Sequence, residues 1–240
     1  MTNVLVLGAT GNVAQYFIDN FENVAPNDMQ LTLLARRPRG LTRDQQNSYQ
    51  VFPGDMYESE SLVDAVRNAD IIVSFVGLSP MPTYAQALLD AIDQSGTDVQ
   101  RILWLGAGGM NQETTGREGE LWKAMPGYFS QQRQAGEMLM NSPFDTTVIS
   151  PVMFHGGAAG KAIITDSHEK TPAQTVSRET VALVYLEALL QDKWHNQMIT
   201  VGDRKKAKKL AARKRELPIF IFTMFVAYAL TKVYTQQSSK

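Results

Sequence analysis

Apolar runs alternate with amphipathic stretches along the first two hundred residues of the chain. Residues 4–7 read Val-Leu-Val-Leu and end at Gly8. A short run with no polar interruption is buried on both faces, as in an interior parallel strand. The same pattern predicts strands over residues 3–7, 30–35, 49–53, 71–76, 101–105, 145–149 and 198–201. Between them apolar positions recur three and four residues apart, predicting helices near 12–24, 58–68, 82–95, 120–141 and 177–192. Strand and helix alternate in order. That predicts an α/β fold, a Rossmann-like doubly wound parallel sheet with helices on both faces. The stretch 106–123 is polar and rich in glycine, and reads as a long loop beside the sheet. Such sheets hold ligands at the carboxyl ends of their strands, where these loops lie.

Composition narrows the chemistry. Of the 240 residues 44% are hydrophobic and 20% charged, as in a folded globular protein. There is no cysteine, so disulfides, thiolate metal sites and cysteine nucleophiles are excluded. The three histidines, His155, His168 and His195, stand apart in sequence, and no metal site is expected. The formal charge of −1 conceals a division. Residues 1–203 hold 13 basic and 23 acidic residues, a net of −10, whereas residues 204–240 hold ten basic residues and Glu216, a net of +9. This division predicts two parts, a folded body over 1–203 and a tail over 204–240. The first three residues are uncharged and the apolar run after them is short, so no cleavable leader is expected and the body is expected in the cytoplasm.

The first strand leads into Gly8-Ala9-Thr10-Gly11-Asn12-Val13-Ala14. Close approach of a phosphate to backbone N–H groups requires positions without side chains, and a helix starting near Asn12 adds its positive dipole end. Ala14 fills a third small position, where helix and strand pack closely. Strand, glycines and helix in this order point to a dinucleotide pyrophosphate; an unliganded tight turn is the competing reading. The second strand ends in Arg36-Arg37-Pro38. An acid there would take the ribose 2′-hydroxyl of NAD, whereas arginine pairs with the 2′-phosphate of NADP. The expectation is therefore NADP(H) in preference to NAD(H), with Arg36 and Arg37 on that phosphate. Asp55 and Met56 follow the third strand, where the acid could reach the adenine or simply form a turn. Val76 and Gly77 end the fourth strand, and Gly77 would let backbone approach the ligand.

These motifs together resemble the atypical short-chain dehydrogenase/reductases, closest to the NmrA-like NAD(P)H-binding subgroup. The resemblance rests on GATGNVA at residue 8, ARRP at 35, GDMYESESL at 54, NADIIVSFVG at 68 and VSRETVA at 176, and covers residues 1–203. It implies hydride transfer between NADP(H) and a small molecule, with nicotinamide near Gly77, Ala107 and Pro151. Some such proteins bind the dinucleotide as redox sensors without turnover, which is the alternative. Active members carry a Ser or Thr after the fifth strand and a Tyr-x-x-x-Lys pair on the next helix. Here the fifth strand is followed by Gly106-Ala107-Gly108-Gly109, without a hydroxyl. Aligning Glu137 with the family's helix glutamate puts Arg133 at the lysine position and Phe129 at the tyrosine. Tyr128 is then one residue out, about 100° around the helix. Tyr128 and Arg133 are the candidate catalytic residues, and Arg133 could hold the ribose but not shuttle a proton. His155, after the sixth strand, is a weaker candidate acid or base.

The tail reads differently. Residues 204–215 include eight basic residues, and residues 217–230 carry no charge. The 18 residues from Leu217 to Tyr234 would span roughly 27 Å as a helix, against about 30 Å of bilayer hydrocarbon. A helical tail touching an anionic membrane surface through 204–234 is expected, with the body on the cytoplasmic face. The basic run lacks interleaved aromatics, and no nucleic-acid partner is expected. Substrate identity and oligomeric state are not encoded in any recognisable motif.

Overall fold

The computed structural model describes residues 1–78 and 80–204; the tail expectation lies outside the described residues. Seven of the strands form one parallel array: β1 Thr2–Leu7, β2 Met29–Ala35, β3 Gln50–Pro53, β4 Ile71–Ser74, β5 Arg101–Leu105, β6 Asp145–Pro151 and β10 Gln197–Arg204. Three further strands are β7 Met153–His155, β8 Lys161–Asp166 and β9 Thr175–Ser177. The main sheet runs β3-β2-β1-β4-β5-β6-β10-β8, with β8 antiparallel on β10, while β7 and β9 pair separately. From β1 the chain proceeds outward to β2 and β3, then crosses back to β4 on the other side of β1. This reversal opens a crevice at the carboxyl ends of β1 and β4.

Alternate side chains of each strand feed opposite layers. Val4 and Val6 of β1 enter the core beneath α1 (Asn12–Val24) and α7 (Arg178–Leu190), whereas Leu5 and Leu7 enter the other. That second layer lies under α3 (Ser59–Val66), α4 (Met81–Ser95) and α6 (Pro126–Met140). In α1, Val13, Ala14, Phe17, Ile18 and Phe21 form the buried stripe. The helix stops before Ala25, because Pro26 disfavours a helical conformation in the residue preceding it. In α4 the stop is Gly96, whose φ of +64° supplies the left-handed cap.

Three local expectations are corrected. The polar segment Arg43–Ser48 forms a helix, α2, started by a reciprocal cap between Thr42 and Gln45. The expected single helix over 120–141 is two, α5 (Gly116–Ala124) and α6, because Pro126 opens a new helix. The loop after β5 is correspondingly shorter, since α5 occupies residues expected to be irregular. Its first part is fixed by Glu113, 1% exposed, whose carboxylate accepts from the N–H of Gly109 and Asn111 and from the Thr200 hydroxyl.

Candidate functional site

Gly8 leaves β1 with φ +73°, and a Cβ there would stand 3.2 Å from Cγ2 of Val76. Conformation and space both require glycine. Gly11 is the N-cap of α1 in an extended conformation, which any residue adopts. Space is the reason for glycine there: a Cβ would lie 3.1 Å from the Gly8 carbonyl oxygen. No side chain caps this helix, so the first-turn N–H groups face the crevice opened by the glycines. Bare backbone, a helix N-terminus and room reserved by two glycines fit a pyrophosphate. Ala9, Thr10, Asn12 and Val13 lie in this loop and first turn. Beneath it Phe17, Phe75 and Tyr185 form an aromatic column with centroids 5.3 and 4.6 Å apart. The Tyr185 hydroxyl donates to the Ser74 carbonyl at 3.2 Å, and burial pushes its pKa well up.

Arg36 and Arg37 emerge exposed from β2. The Pro38–Gly40 turn then brings the chain back over the glycine loop, and a Cβ on Gly40 would be 3.0 Å from Cγ2 of Thr10. Arg36 reaches Asp55 at 3.5 Å, so the two residues expected on separate parts of the ligand stand side by side. Met56 is 4% exposed and belongs to the core. Tyr57, 54% exposed, rests against Tyr84 of α4 with centroids 4.9 Å apart. This aromatic pair beside Asp55 was not expected from the sequence. Tyr57 stands two positions after the acid, but nothing local announces Tyr84, 27 residues further on. Burial raises the pKa of both hydroxyls.

At the end of β4, Val76 and Gly77 border the same crevice. The Gly77 carbonyl accepts from the Tyr128 hydroxyl at 3.3 Å and from Nε2 of Gln132 at 3.0 Å. Tyr128 and Gln132 are four residues apart and share a face of α6. Tyr128 therefore shares its acceptor with Gln132, and not with Arg133. Arg133 lies one step around the helix, 43% exposed, 3.7 Å from Glu137. Gln132 is fully buried, and its Oε1 has no partner among the described residues. A neutral amide thus stands where the resemblance implies a lysine. Burial pushes the Tyr128 phenol up to about 12, although a hydrogen bond from Gln132 opposes the shift.

Ala107 and Pro151 come together because the N–H of Gly106 donates to Ile149 and that of Gly108 to Pro151 itself. A Cβ on Gly106 would stand 2.5 Å from Oγ of Ser150. A serine or threonine at position 106 is excluded by this contact, since the buried Ser150 hydroxyl already fills the space. His155 sits at the end of β7, where Nε2 faces Asp203 at 3.0 Å and Nδ1 faces the Gly156 carbonyl at 2.8 Å. Through Asp203, His155 bridges β7 and β10. Among the described residues no cluster of metal-ligating side chains occurs.

Comparison with known proteins follows the same outline. A family model described as NAD(P)H-binding matches residues 8–192. No curated protein matches the sequence. A short-chain dehydrogenase/reductase (wide type) from Veillonella parvula, solved in complex with NADP, superposes with a TM-score of 0.76 at 18% identity, over 88% of this chain and 99% of that one. A Rossmann-fold NAD(P)-binding family protein from Shigella flexneri superposes with a TM-score of 0.71 at 20% identity, over 89% and 99%. An anaerobilin reductase from Escherichia coli O157:H7 gives 0.70 at 20% identity, over 87% and 100%. At these identities the likeness is one of fold.

Proposed function

This chain belongs to the NAD(P)H-binding family, and we propose that it is an oxidoreductase that binds NADP(H) in preference to NAD(H). The observation that carries the reading is the glycine cradle between β1 and α1 with two exposed arginines beside it at the end of β2. Gly8, Gly11 and the first turn of α1 hold the pyrophosphate. Arg36 and Arg37 take the 2′-phosphate, and Asp55 with the Tyr57–Tyr84 pair seats the adenine. The bound dinucleotide supplies a hydride, and the protein must provide orientation and a path for the accompanying proton. Tyr128 is the candidate proton donor, held at the Gly77 end of the crevice by its hydrogen bond to that carbonyl. Reduction of a small molecule is the direction this arrangement favours. Titration of the full chain with NADPH and NADH tests the cofactor reading.

One observation supports the alternative, a sensor that binds NADP(H) without turnover. Gln132 is neutral, and among the described residues no cation adjoins the Tyr128 phenol to promote its ionisation. Absence of NADPH oxidation across aldehydes, quinones and enones would select the sensor. For residues 204–234 we propose contact with an anionic membrane surface, supported by their charge and by the place where β10 ends, at the carboxyl edge of the sheet with the cofactor crevice. None of the described helices is long and apolar enough to cross a membrane.

A further inference from the structure

We infer that Gln45 is a positioning residue that sets the preference for the 2′-phosphorylated dinucleotide by fixing the arginine-bearing segment to the glycine loop; this rests on the NADP(H) reading above. Residues 36–43 contain four arginines, Arg36, Arg37, Arg39 and Arg43. The segment needs a fixed position, since exposed arginines on a free loop would lose their ordering in solvent. Two buried side chains, Leu41 and Gln45, anchor it to α1. Leu41, 5% exposed, inserts into the core that includes Val13 and Phe17 of α1. The second is Gln45, 3% exposed although its side chain is polar.

Every hydrogen-bonding direction of the Gln45 amide that the segment needs is used. Its Oε1 accepts from the Thr42 N–H at 3.1 Å, while its own backbone N–H donates in return to the Thr42 hydroxyl oxygen at 3.1 Å. Its Nε2 donates across to α1, to Oε1 of Gln15 at 3.2 Å and to Oδ1 of Asp19 at 3.3 Å. Gln15 then donates through Nε2 to the carbonyl of Ala9, inside the glycine loop, at 2.8 Å. A continuous chain therefore runs from the start of α2 through Gln45 and Gln15 to the backbone that would hold the pyrophosphate. The Pro38–Gly40 turn, where a Cβ on Gly40 would stand 3.0 Å from Cγ2 of Thr10, closes the circuit on the other side.

The two ends of this circuit serve different parts of the ligand. The glycine loop meets the pyrophosphate, which both dinucleotides carry. The arginine segment meets the 2′-phosphate, which only NADP(H) carries. Loosening the connection at Gln45 should therefore weaken NADPH and spare NADH. A merely structural glutamine would affect both alike, through the fraction of folded protein.

The experiment measures dissociation constants of the full chain for NADPH, NADH and adenosine 2′,5′-bisphosphate. Wild type is compared with Gln45→Met, which keeps the length but cannot hydrogen-bond, and with Gln46→Ala. Gln46 lies on the same helix, exposed, and its side chain donates to the Leu41 carbonyl and not to α1 among the described residues, so truncating it leaves the Gln45–Gln15 link intact. We expect Gln45→Met to weaken NADPH and the bisphosphate about tenfold, NADH less than about twofold, and Gln46→Ala to change no ratio. If Gln45→Met does not fold, Thr42→Ala breaks the same cap from its exposed side and should lower the NADPH:NADH preference about threefold. A folded Gln45→Met or Thr42→Ala protein with the wild-type preference overturns the inference and leaves the cofactor reading standing. Wild-type protein without any preference for NADPH overturns both.

Discussion

Tyr128 and Gln132 donate to one acceptor, the carbonyl oxygen of Gly77, at 3.3 and 3.0 Å. The pair ties α6 to the loop after β4 at the point where the nicotinamide half of a dinucleotide is expected. Burial pushes the Tyr128 phenol up to about 12 against the opposing hydrogen bond from Gln132. Tyr128→Phe should therefore lower turnover about 10²-fold, the scale of one general-acid contribution. Its NADPH dissociation constant should change less than about twofold. Steady-state kinetics beside a binding titration checks this, and turnover equal to wild type would remove Tyr128 from the reaction. Wild-type activity should show no ionisation of this phenol below about pH 10, the ordinary tyrosine value.

Gly8 is the position where substitution should harm the fold itself. Its φ of +73° is unfavourable for any residue with a Cβ, and that atom would press on Val76. Gly8→Ala should cost about 1–3 kcal/mol, measured as a lower midpoint of urea unfolding. Gly11→Ala has an ordinary backbone conformation and should cost less, while weakening both dinucleotides by narrowing the cradle.

Two ionisable groups give opposite slopes of stability with pH. The hydrogen bond to Asp145 raises the pKa of His195. Its contribution is complete below the ordinary histidine value and is lost as pH rises through the raised one. Replacing His195 by Ala should flatten the alkaline side of the stability profile. Burial works to raise the pKa of Asp203, but hydrogen bonds from His155, the Ser177 N–H and the Thr180 hydroxyl prevail and hold it below the usual carboxylate range. That contribution is present above the ordinary carboxylate value and is lost as pH falls through the depressed one. Asp203→Asn should cost about 2–3 kcal/mol at pH 7 and reduce sensitivity to acid, as read by thermal unfolding between pH 3 and 8.

The tail is testable without knowledge of its shape. Full-length protein should sediment with vesicles containing anionic phosphatidylserine, more weakly as salt rises, whereas a chain ending at residue 204 should stay in the supernatant. Equal sedimentation of both would remove the membrane proposal.

The main sheet is legible in the sequence because its parallel strands are buried on both faces. Val4–Leu7 or Ile102–Leu105 admits no polar residue, and such runs stand out without any partner being known. The elements that escape detection depend on neighbours. β8 has only a few half-buried apolar residues and exists because β10 offers it an edge. The helix α2 is six mostly polar residues, announced only by the spacing of Thr42 and Gln45. At the site, Gly8, Gly11 and the arginines stand in a local motif and are read directly. On α6, alignment on Glu137 points to Arg133, whereas the residue beside Tyr128 on the Gly77 carbonyl is Gln132. Only the packing against Gly77 shows which face of that helix is inward. Tyr84 and Gln15 are distant in sequence from the segments they support, and periodicity carries no trace of such pairing.

The central claim, a site built for the 2′-phosphorylated dinucleotide, is tested most directly by titrating wild type and Arg36→Asp with NADPH and NADH at one ionic strength. The account predicts that wild type binds NADPH at least about tenfold more tightly than NADH, and that Arg36→Asp loses that margin with NADH affinity nearly unchanged. Equal affinity of wild type for the two dinucleotides, or no affinity for either, would contradict it.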